Sequence, residues 1–119
     1  MRLRRTVLSA VTAAGLGVFG WAAMAQTPSW ETVGPIFSAY CTGCHGGTAP
    51  RAGLDLRTYA TALAGSNGGP VMIAGDPDAS LLMQRIRGQI LPQMPRGRAP
   101  LSEAEIAWIA AWITAGMPE

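Results

Sequence analysis

The sequence predicts an all-α domain of three to four helices joined by long loops. Three observations carry that expectation. Apolar residues recur at spacings of three and four in several segments. Helix start and stop residues punctuate those segments. The stretches between them are rich in glycine and proline and leave little room for a sheet.

The first residues read as a separate unit. Met1 to Arg5 (MRLRR) is a basic head, Val7 to Ala23 is apolar, and Ala23-Met24-Ala25 places small residues before a cut at Gln26. That is the pattern of a secretory signal peptide over residues 1–25, followed by one domain over 26–119. The competing reading is an uncleaved anchor, but the apolar run is near the lower limit for a span and carries Gly15, Gly17 and Gly20. Cleavage leaves 119 − 25 = 94 residues, with six arginines, no lysine and seven acidic residues. The basic balance of the whole chain thus belongs to the leading segment, and no basic stripe suggests nucleic acid. Export places the protein in the periplasm, without membrane contact once the segment is removed. A domain this small often recruits an extra stabiliser, and a large apolar cofactor would serve.

The first helix of the exported domain follows Ser29, a capping residue, with Glu31 suited to the helix dipole. Trp30, Val33, Ile36, Phe37 and Tyr40 lie on one face. Gly34-Pro35 falls early in it, so the regular part is expected from about Pro35, with Cys41 at the end. Gly46 to Gly53 is loop, Leu54-Asp55-Leu56 is extended or a turn, and a short helix is expected near Thr58 to Ala64. After the loop Gly65 to Pro70, Asp76-Pro77-Asp78 reads as a helix start. Leu81, Leu82, Ile86 and Met83 supply its apolar face, with Arg85 and Arg87 at its C-terminal end before Gly88. Gln89 to Pro100 holds three prolines and is irregular. The last helix opens on a capping box, Ser102 with Glu105, and a staple of Leu101 on Ile106. Ile106, Ile109, Ala110 and Ile113 line one side, with Trp108 and Trp112 beside them, and Gly116 closes it.

Both cysteines and the one histidine fall within Cys41-Thr42-Gly43-Cys44-His45. A disulfide across so small a loop would constrain the unfolded chain little and would leave His45 unexplained. A thioredoxin-like pair needs a helix N-terminus after a strand, whereas this pair follows a helix. Zinc would need carboxylates for its remaining ligands, and the nearest downstream acids are Asp55, Asp76 and Asp78. Covalent haem explains all three residues: two thiols reach two vinyl groups on one porphyrin edge, and the next residue places an imidazole under the iron. A backbone carbonyl between Gly47 and Pro50 is the expected acceptor for the other imidazole nitrogen.

With no second histidine, the iron's other face is left to a methionine, a rarer donor or none. Met83 sits in a helix that needs it for packing, and Met117, close to the last residue, is expected to fray. Met72 lies in an apolar run and can pack anywhere. Met94 differs: Pro92-Gln93-Met94-Pro95 is an extended segment stiffened by prolines, able to cross a ring and present one thioether. Met94 is the favoured ligand, with Met72 and no protein ligand as alternatives. Arg51, Arg57, Arg96 and Arg98, with Tyr59 and Trp30, are candidates to meet the propionates.

These features together resemble a small monohaem cytochrome c of the class I fold, closest to planctomycete-type cytochrome c domains. The matching stretches are IFSAYCTGCH (36–45), GLDL (53–56), GDPDASLL (75–82), QMP (93–95) and residues 101–116. The resemblance implies a class I-like fold wrapped around one haem, with thioethers at Cys41 and Cys44, and His45 and Met94 as axial ligands. It implies crossing first and last helices, giving Phe37, Trp108 and Trp112 a packing role. The usual Gly-Pro-x-Leu stretch beyond the histidine is missing here.

The expected function is periplasmic one-electron transfer by haem c, without chemistry on a substrate. Its partners would be redox proteins, donor and acceptor, met in transient complexes by a monomer. Two alternatives stand beside it. One is an open-site haem protein, a small-ligand sensor or peroxidase-like enzyme; the other is a cytochrome subunit of a membrane dehydrogenase or oxidase.

Overall fold

The computed structural model describes residues 26–119, so the expected signal segment, residues 1–25, lies outside the described residues. Four α-helices appear: α1 (Trp30–Tyr40), α2 (Tyr59–Ala64), α3 (Leu81–Ile86) and α4 (Glu103–Thr114), with a 3₁₀ turn at Arg51–Gly53. Among the described residues the only β-pairing is two isolated bridges, Ser66 with Gly69 and Ile73 with Asp76. The domain is α-helical, as its periodicities require.

The packing centre is the crossing of α1 and α4. Val33 and Phe37 on α1 meet Ile109, Trp112 and Ile113 on α4, all of them buried. Phe37 and Trp112 stand edge to face with centroids 6.2 Å apart, and Trp30 lies 5.8 Å from Trp112. Such aromatic contacts add to the area they bury. The capping box of α4 forms as expected: Ser102 Oγ accepts from the Glu105 N–H at 3.2 Å, and Glu105 Oε2 accepts from the Ser102 N–H at 2.8 Å.

Four expectations need correction. Helix α1 starts at Trp30, not near Pro35. Its first turn is anchored from outside by the Pro118 carbonyl, which accepts from the Trp30 N–H at 3.1 Å, and from within by Thr32 Oγ1, which accepts from the Ser29 N–H at 3.3 Å. Pro35 sits on the exposed side, where water can meet the Glu31 carbonyl that loses its partner.

Met117 does not fray. It is buried, its carbonyl accepts from Tyr59 Oη at 2.8 Å, and its N–H donates to the Trp112 carbonyl at 2.9 Å. The Pro118 carbonyl also accepts from Trp112 Nε1 at 2.8 Å.

Asp76-Pro77-Asp78 builds a turn rather than the start of α3. Asp76 Oδ1 accepts from the Ala79 N–H at 3.1 Å, and Ser80 becomes the N-cap residue. Ser80 is fully buried, accepting from the Ile73 N–H at 2.9 Å and donating to the Asp76 carbonyl at 2.8 Å. Asp78 pairs with Arg87 at 2.7 Å. Leu82, Met83 and Ile86 form the buried part of the apolar face, and Leu81, 40% exposed, extends it along the cavity described below.

Trp108 packs little. It is 47% exposed, while Trp112, one turn on, is fully buried. At about 100° per residue, positions 109, 112 and 113 centre the buried stripe, and position 108 falls about 90° to one side.

Replacing Trp112 by Ala should lower unfolding stability by about 3–5 kcal/mol, the usual cost of truncating a buried tryptophan. Trp108→Ala should shift it by about 0.5 kcal/mol or less. Denaturant unfolding of both variants checks the contrast.

Candidate functional site

The last turn of α1 delivers the first cysteine. The Cys41 N–H donates to the Phe37 carbonyl at 2.8 Å, and the Cys41 carbonyl then accepts from the N–H groups of Cys44 at 3.2 Å and His45 at 2.8 Å. One tight turn thus carries both thiols and the imidazole. The thiols are free; Cys41 is half-buried and Cys44 exposed. Burial pushes the Cys41 thiol up to about 11, with nearby Arg98 drawing it partly back.

The chain after the motif folds around His45. The Arg51 N–H donates to the Cys44 carbonyl at 2.9 Å, and the Leu56 N–H to the His45 carbonyl at 2.8 Å. His45 Nδ1 lies 3.1 Å from the Arg51 carbonyl oxygen. A carbonyl can only accept, so Nδ1 carries the proton and Nε2 keeps its lone pair for a metal. The acceptor expected between Gly47 and Pro50 is therefore one residue further on, in the 3₁₀ turn.

That turn depends on Gly53, which has φ +69°. A Cβ there would lie 2.1 Å from Asn67 Oδ1, and the Asn67 N–H donates to the Ala52 carbonyl at 2.8 Å. Asn67 thus closes on the turn that holds the imidazole, which gives the GLDL stretch a physical reason for its glycine.

His45, Cys41 and Met94 line one cavity of about 220 Å³, with Phe37, Leu82 and Ile109 among its apolar walls. Cys44 is outside the lining. Of the four methionines in the described residues, Met94 alone lines the cavity; Met72, Met83 and Met117 are buried in the core. The segment carrying Met94 is bent rather than extended, because it is tied to α3: the Met94 N–H donates to the Arg85 carbonyl at 3.0 Å. The donor set suits a haem, with an oriented imidazole, a thioether and a thiol on one apolar cavity. Zinc finds no comparable support, since no three His, Cys, Asp or Glu side chains group as a metal site among the described residues.

Most of the residues expected to meet propionates are engaged elsewhere. Arg57 pairs with Asp55 at 2.7 Å and donates to the Gly47 carbonyl at 3.3 Å. Arg98 donates to the Ala39 carbonyl at 3.1 Å and lies 5.8 Å over the Tyr40 ring, whose hydroxyl donates to Glu105 Oε1 at 2.8 Å. That carboxylate raises the Tyr40 pKa, while the Ser102 N–H and the Tyr40 hydroxyl lower that of Glu105. Trp30 and Tyr59 belong to the aromatic cluster, 6.0 Å apart. Arg51 and Arg96 are exposed and make no ion pair among the described residues. The arginine that does line the cavity is Arg85. Read from sequence it is a helix-end cation; only its spacing from the Met-bearing segment could have flagged it.

Residues 41–96 match the sequence model of a family described as planctomycete cytochrome C. The match begins on the first motif cysteine and extends past Met94. No curated protein and no solved structure gives a match.

Two variants test the scaffold around the imidazole. Gly53→Ala should destabilise by at least about 1–2 kcal/mol, since a non-glycine residue at positive φ also meets Asn67. For Asp55, hydrogen bonds from the Arg57 side chain and N–H hold the carboxyl down to about 2 against an ordinary 3.8. The pair's contribution is full above that ordinary value and is lost as pH falls through about 2. Asp55→Asn should remove this dependence from the acid limb of a stability–pH curve.

Proposed function

We propose that this chain, which contains a cytochrome c-type domain with haem-based electron transfer as its broad role, is a periplasmic one-electron carrier. It holds one covalently attached haem c with His45 and Met94 as axial ligands. The observation that carries this reading is the cavity itself. An imidazole with its Nδ1–H committed to Arg51 and the one methionine of the described residues outside the buried core line the same apolar space.

Bound haem supplies a one-electron Fe(II)/Fe(III) couple. Cys41 and Cys44 would hold it by thioethers to its two vinyl groups. The exposed position of Cys44 beside half-buried Cys41 suits attachment at a ring edge near the surface. His45 presents Nε2 while the Arg51 carbonyl fixes its tautomer and the orientation of its ring. Met94 supplies a sulfur ligand, which raises the potential relative to a second imidazole. Apolar walls such as Phe37 and Leu82 favour the less charged reduced centre.

No helix among the described residues is long and apolar enough to cross a membrane. The exported domain is read as a monomer that meets redox partners in weak, transient contacts. The open-site alternative has one observation in its favour, the Arg85 cation on the cavity. It lacks the acid/base group that peroxide cleavage wants, because no carboxylate and no second imidazole line that space. Electron transfer without substrate chemistry is the better reading.

Exporting the protein in a host with haem-attachment machinery and weighing the intact chain tests it. The mass should show loss of residues 1–25 and gain of one haem. Cys41→Ala and Cys44→Ala should each yield less attached haem, and the double variant none. Haem that remains fully attached in the double variant, or no attached haem in the parent, contradicts the proposal.

A further inference from the structure

Met94 lies in a stretch with no helix or strand of its own, so something else must hold its thioether in place. The last turn of α3 does so. The Arg85 carbonyl accepts from the Met94 N–H at 3.0 Å, and the Arg85 guanidinium donates to the Leu91 carbonyl. Gln93 Nε2 donates to the Ile86 carbonyl at 3.3 Å. Gly88, at φ +71°, leaves room for that side chain, because a Cβ there would lie 3.0 Å from Gln93 Cδ.

Among the described residues, Arg85 grips the segment at both ends, by its main chain at Met94 and by its side chain at Leu91. Arg85 lines the same cavity as His45 and Met94, and its guanidinium has no acidic partner among the described residues. Keeping a half-buried cation on an apolar wall carries a desolvation cost. Its hydrogen bond to a carbonyl offsets part of that cost and fixes the chain there.

We infer that Arg85 is the positioning residue for the distal ligand: its two hydrogen bonds set how firmly the Met94 sulfur is held in the cavity. This rests on the axial pair proposed above. The segment from Leu91 to Met94 behaves as a strap, and Arg85 is the bracket that keeps it closed. Loss of the side-chain bond releases the Leu91 end while the Met94 N–H bond remains, so the sulfur stays near the cavity but exchanges more readily with an added ligand.

The test uses the exported, haem-loaded protein with Arg85→Met, which removes the donors, and Arg85→Lys, which keeps the charge but not the planar fork. Three quantities are read: the ferric sulfur-to-iron charge-transfer absorption, the affinity of the ferric protein for added imidazole, and the denaturant midpoint. Arg85→Met should weaken the absorption and raise imidazole affinity by about tenfold, the shift that follows from losing one charge-assisted hydrogen bond. Arg85→Lys should fall between, and the midpoint should move less than in Trp112→Ala. Should Arg85→Met fail to accumulate, Arg85→Lys carries the test by the same measures. Absorption and imidazole affinity unchanged from the parent overturn the inference. Met94→Ala separates the two levels. If it leaves the absorption intact, the axial reading itself is wrong. If it abolishes the absorption while neither Arg85 variant moves it, only the role of Arg85 fails.

Discussion

The structure turns on the contact between His45 Nδ1 and the Arg51 carbonyl, 3.1 Å away. This chain has one imidazole, and a free imidazole can rotate and exchange tautomers. The carbonyl removes both freedoms, leaving Nε2 as the nitrogen available to a metal. The surroundings serve to keep that carbonyl in place. Arg51 is tied back to Cys44, Leu56 to His45, and Asn67 closes over Gly53 and Ala52. A loop with little regular structure is thereby tied down by its own hydrogen bonds.

Opposite that loop, the same problem is solved with helices. The crossing of α1 and α4 forms the back of the cavity through Phe37 and Ile109, while α3 carries the segment with Met94. The last residues brace the crossing: the Pro118 carbonyl takes both the Trp30 N–H and Trp112 Nε1, and Met117 fills the core beneath Tyr59. Two sides of one space are thus positioned independently, the imidazole by a wound loop and the thioether by a strap on a short helix. The proposed electron-transfer role would favour such an arrangement, because ligands held in fixed positions minimise rearrangement when the charge changes.

What the sequence made legible was local. The spacing of Cys41, Cys44 and His45 puts them on one tight turn, and Met94, which shares a cavity with Cys41 and His45, stood out because its prolines exclude a helix. The α4 capping box was readable because all its partners lie within three residues. What escaped depends on distant partners. Helix α1 starts early because Pro118 holds its first N–H across the fold while Ser29 and Thr32 close the turn locally, and no local rule reports the distant bond. Asp76-Pro77-Asp78 has helix-start chemistry but spends it on a turn, since buried Ser80 ties that turn to Ile73. Trp108 and Trp112 look equivalent by spacing, yet only Trp112 lies on the stripe that α1 covers. Arg85 was hidden by a sound general rule, the preference of cations for helix C-termini, which gave no cause to look further.

The central claim is that both axial positions are held, by His45 on one face and Met94 on the other. The most direct measurement is the visible spectrum of the reduced, exported protein before and after carbon monoxide. Two strong-field ligands predict a sharp low-spin c-type spectrum that carbon monoxide leaves unchanged. A prompt spectral shift on adding the gas would contradict the account, because it would mean that the distal site is open and that Met94 does not hold it.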